Sequence, residues 1–80
     1  MQTQCGEMID ILSSKTEDEA NIVINHLLTK IESQPIDKKR KILSTLAMIK
    51  TMQISRTKNE IEIQAYKKIV DLINNKVNNL

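Results

Sequence analysis

The stretch of this 80-residue chain that concentrates charge chemistry is Lys38-Lys39-Arg40-Lys41. The hydrophobic pattern places these four cations in the first turn of a helix, where each opposes the helix dipole by roughly a few tenths of a kcal/mol. An anionic partner reverses that penalty, because the free N–H groups at a helix start already favour anions. The partner is then a protein with an acidic surface, or DNA. Lys50, Arg56 and Lys58 follow in the same half and complete the candidate partner- or phosphate-binding set. The plain alternative is a solvated charge run.

Other chemistries find little to work with. Nucleophilic catalysis needs a nucleophile, a base and a group that orients the base. Cys5 and His26 are the obvious pair, and His26 points away from the apolar stripe of its own helix. One His and one Cys do not make a zinc site. Glu17, Asp18 and Glu19 are consecutive, so they fan around a helix instead of converging on a cation. There is no glycine-rich phosphate loop. Tyr66 is the sole aromatic and falls in an apolar seam, so single strands and RNA loops find no stacking platform. Lysine outnumbers arginine, the better bidentate reader of guanine, and a helix-turn-helix around Leu46–Ile61 fits poorly, with Thr51 at the turn position where glycine is usual. These absences argue against an enzyme and imply no catalytic residue, metal, cofactor or small-molecule substrate.

Composition sets the outer bounds. Eighty residues make one domain at most. The apolar fraction is 40% and almost wholly aliphatic, with thirteen Ile and no Phe or Trp. A single cysteine allows no intrachain disulfide, and no apolar run is long enough for a membrane span or a signal peptide. The expectation is a cytoplasmic protein. Net charge is +2, but residues 1–34 carry −4 and residues 35–80 carry +6, with the switch at the only proline, Pro35. Either the two halves dock on each other, or the basic half meets an acidic partner.

Helical periodicity dominates, so the fold class is all-α, a single domain of three to four helices. A short first helix is expected over residues 5–13, ended by Ser13 and Ser14. Thr16 with Glu19 has capping-box spacing and starts a second helix, whose apolar side is Ala20, Val23, Ile24, Leu27, Leu28 and Ile31. Pro35 closes it. A third helix from about Ile36 to Ser55 carries two stripes, Ile42/Leu46/Ile49 and Leu43/Ala47/Ile54, and so expects two neighbours. Met48 and Met52 are read as core filler. Thr57 with Glu60 repeats the capping spacing and starts a fourth helix. The rival is one continuous rod from Ile36 to Leu80, about 68 Å long.

The fourth helix has an apolar arc of about 200°, twice what the outside of a bundle needs. Ile63, Tyr66, Val70, Ile73, Val77 and Leu80 follow a/d spacing along it. Left uncovered they form an unusually large exposed patch. They are therefore the expected interface of a homodimer, unless the second and third helices cover them. The function these features imply is a non-catalytic helical adaptor, inhibitor or regulator that occupies a macromolecular partner. The alternatives are a dimeric double-stranded DNA-binding regulator of transcription or replication and, more distantly, an immunity-type protein acting near a membrane.

Overall fold

The computed structural model describes residues 9–80, and these are helical apart from short links. Helix α1 covers residues 9–13, α2 Glu17–Lys30, α3 Ile36–Arg56 and α4 Glu60–Asn78. Cys5 and the expected start of the first helix lie outside the described residues. Helix α1 ends where the serine pair begins to compete for backbone groups: the Ser13 hydroxyl donates to the Ile9 carbonyl and the Ser14 hydroxyl to that of Asp10.

Helix α2 starts as its sequence dictates. The Glu19 N–H donates to Thr16 Oγ1 at 3.3 Å, and the Glu19 carboxylate reaches back to the Lys15 N–H at 2.7 Å, one residue beyond the cap itself. Ala20, Ile24 and Leu27 are buried, and Ile31 follows them into the core just past the helix end. Pro35 opens α3 in an extended conformation and offers no side-chain cap; its carbonyl accepts from the N–H groups of Lys38 and Lys39.

Chain 36–80 is two helices, broken at residues 57–59. The break is not capped as its spacing suggests. Thr57 belongs to the end of α3, with its N–H on the Ile54 carbonyl and its hydroxyl on that of Gln53. Asn59 caps α4: its Oδ1 accepts from the N–H groups of Ile61 (2.9 Å) and Glu62 (3.2 Å). Asn is as good a cap as Thr and stands directly before the helix, with Glu62 at the third helical position. Asn59→Ala should therefore cost about 1 kcal/mol, and Thr57→Ala roughly 0.5 kcal/mol or less. Paired thermal melts of the two variants check the order.

The α4 helix packs along α3 and more briefly against α2. The core lies where these meet: Ile11 from α1, Ala20, Ile24 and Leu27 from α2, Leu43, Leu46 and Ala47 from α3, and Tyr66, Ile69 and Ile73 from α4. Both expected stripes of α3 face it, with Ile42, Ile49 and Ile54 packed at its margin. No helix among the described residues is long and apolar enough to cross a membrane.

Candidate interaction surface

Lys50 does not belong with the surface bases. Its side chain is 0% exposed. The α3 stripe that begins at Leu43 and passes Leu46 and Ala47 reaches Lys50 at the next turn, so helical geometry sends this side chain inward. There the ammonium closes the C-terminal end of α1. Lys50 Nζ donates to the carbonyls of Ile11 (2.9 Å) and Ser14 (2.7 Å), with that of Leu12 at 3.4 Å. It also sits 4.0 Å from the centroid of the Tyr66 ring on α4, a cation–π distance. Terminal carbonyls of a helix carry partial negative charge and need donors, and one lysine serves three elements at once. Burial, and next the nearby positive charge of Lys15, pull its pKa down from 10.5 to about 8, against the opposing pull of Glu19. A group so enclosed is not available to a phosphate or a partner.

Gln53, one turn on, completes the attachment of α1. Its Nε2 donates to the Leu12 carbonyl at 3.1 Å, while Oε1 is buried without a partner among the described residues. Lys50 and Gln53 thus hold the end of α1 against α3, and a groove of about 290 Å³ opens along that join. Leu12, Ile49, Met52, Gln53, Arg56 and Thr57 line it, one cation and no acid.

Met48 and Met52 are not core filler. Met48 is 59% exposed and Met52 51%, because both lie off the buried stripe of α3. Lys41, Met48, Met52 and Arg56 recur at spacings that keep them on one side of the helix. Lys38, Arg40, Lys41, Arg56 and Lys58 are exposed and Lys39 is half-buried. The cluster at 38–41 and the Arg56/Lys58 pair stand at opposite ends of α3, about 22 Å apart from Lys41 to Arg56. From Lys38 to Asn59 the chain holds seven bases and no acid. The outer side of α3 therefore has an apolar centre, Met48 and Met52, with exposed bases at both ends and no acid between them. Among the described residues, Lys15 and Glu62 form an ion pair between the halves, exposed and long at 3.9 Å, that involves no base of this face.

The expected dimer seam on α4 is distributed differently. Tyr66 and Ile73 are 2% and 0% exposed inside the chain's own core, and Val77 and Leu80 pack against its edge. Ile63 and Val70 are half-buried. Helices α2 and α3 thus cover much of the stripe for which a second chain is expected. The sequence signal for this was the pair of stripes on α3, which provides the second wall. His26 is exposed on the outer side of α2, and Glu17, Asp18 and Glu19 are exposed around its first turn. Among the described residues no group of His, Cys, Asp and Glu is arranged to hold a metal ion. Compared with protein-family models, curated proteins and solved structures, the chain matches none.

Proposed function

We propose that this protein is a non-catalytic helical interaction module that acts by occupying an acidic protein surface with the outer side of α3. The observation that carries the reading is that residues 38–59 hold bases and no acid, with Lys41 and Arg56 exposed at the two ends of one side of α3. Charge of one sign on a rigid face raises encounter rates with the opposite sign and disfavours like-charged partners. The apolar centre of the face favours protein over DNA. A phosphate backbone rewards donors along its whole length, whereas Met48 and Met52 offer none.

Neutralising Lys38, Lys39, Arg40 and Lys41 to Gln tests this. Each exposed pair is worth up to ~1 kcal/mol, so binding to poly-L-glutamate at physiological salt should weaken about 100-fold. The helical circular-dichroism signal should persist, with a slightly higher melting temperature as the dipole conflict is removed. Unchanged polyglutamate binding contradicts the reading. Tighter binding to mixed-sequence duplex DNA at the same salt transfers the face to nucleic acid.

A further inference from the structure

We infer that the groove between α1 and α3 is the seat of an acidic amphipathic helix from a protein partner, with apolar side chains in the groove on Leu12, Ile49 and Met52 and carboxylates toward Arg56, the helix continuing along α3 past Met48, outside the groove, to carboxylates toward Lys41. The inference rests on the cationic-face reading above and names what that face receives.

Three features select this occupant. The first is shape. The part of the apolar surface nearest Arg56 is a groove whose rim is the end of α1, fixed by Lys50 and Gln53, and a groove receives side chains in the helix-in-groove mode. A lipid surface is instead met by apolar side chains that protrude. The second is chemistry. Exposed methionines beside an arginine adapt to the packing of a partner's aliphatic side chains, and both residue types are enriched in protein interfaces. The third is charge. Bases at both ends of the apolar centre and no acid along it match a helix with acids in its first and last turns. The span of about 22 Å corresponds to about 15 helical residues. A larger hollow of about 430 Å³ beside the start of α2 makes no such selection, since Lys15, Glu17 and Lys68 line it with both signs of charge.

The test uses the full chain and a fluorescent synthetic peptide of about 18 residues, with leucines at every third or fourth position and glutamates in the first and last turns. A scrambled peptide of identical composition is the control, and anisotropy is the readout. The patterned peptide should bind about 10-fold or more tightly than the scramble, and weaken with added salt. Met52→Asp, at an exposed position, should lower its affinity by a further factor of about 10 without loss of helicity. Lys41→Glu with Arg56→Glu should transfer the preference to a peptide with lysines at both ends. Equal, salt-sensitive binding of patterned and scrambled peptides overturns helix docking while leaving the cationic-face reading intact. Indifference to Met52→Asp overturns the groove as its site. Binding to anionic vesicles in preference to the patterned peptide replaces the protein partner with a membrane surface.

Discussion

Ile73→Asp should unfold the chain outright. The side chain is 0% exposed, among Ile69, Tyr66 and the buried residues of α2 and α3. Removing it forfeits ~2 kcal/mol or more of apolar burial, and a carboxyl group enclosed there without a partner adds several kcal/mol more. A domain of this size has a total stability of about 4–12 kcal/mol. The expected result is loss of most of the helical circular-dichroism signal at every protein concentration. A pure dimer interface responds differently, with helicity retained and only the mass in solution falling. A folded Ile73→Asp chain would place this residue at a surface between chains instead of in the core.

Periodicity finds the width of the apolar arc on α4 but not what covers it. The cover comes from α2 and α3, and the neighbours of a helix are set by topology. The elements themselves were legible, because their signals are local. Thr16 and Glu19 cap α2, Pro35 ends the link before α3, and aliphatic residues repeat at helical spacing. The break at 57–59 was also legible, though Asn59 with Glu62 was the better-placed cap. Lys50 was the hardest to place. Its residue type reads as surface, while its position continues the Leu43–Leu46 stripe. Position prevails because an acceptor set, the carbonyls at the end of α1, waits for it across 36 or more residues of sequence. Met48 and Met52 mislead in the opposite sense, with apolar type at outward positions.

Lys50 also gives stability a pH dependence of unusual sign. In the unfolded chain its ammonium holds the proton up to its ordinary pKa of 10.5, and in the folded chain only to about 8. Below pH 8 both states are protonated, and the native state bears the full cost of enclosing the charge. Between about 8 and 10.5 the unfolded chain binds the extra proton, so native stability rises with pH. The rise amounts to ~3 kcal/mol at most. Burial is the main cause, with Lys15 adding to it and Glu19 opposing it, while Tyr66 faces the ammonium from α4. Urea titrations near pH 7, 9 and 10.5 on the wild type and on Lys50→Met isolate this contribution, since other titrating groups cancel in the difference. The wild type should gain on the variant as pH increases. A constant difference across this range would show that the carbonyl cage fully compensates the buried charge.

The claim on which function rests is that the outer side of α3 meets an acidic protein. Photo-crosslinking reads this directly. Benzoylphenylalanine is placed at Met52 on that side and, as a control, at Ile22 on the outer side of α2, each 51% and 71% exposed respectively. Cells of the native host expressing either chain are irradiated and the adducts identified. Position 52 should give a discrete adduct with an acidic protein, mapped to an amphipathic helical segment and lost in the Lys41→Glu, Arg56→Glu background. Position 22 should not give that adduct. Nucleic acid in the adduct from position 52, or the same protein captured equally from position 22, would contradict the claim.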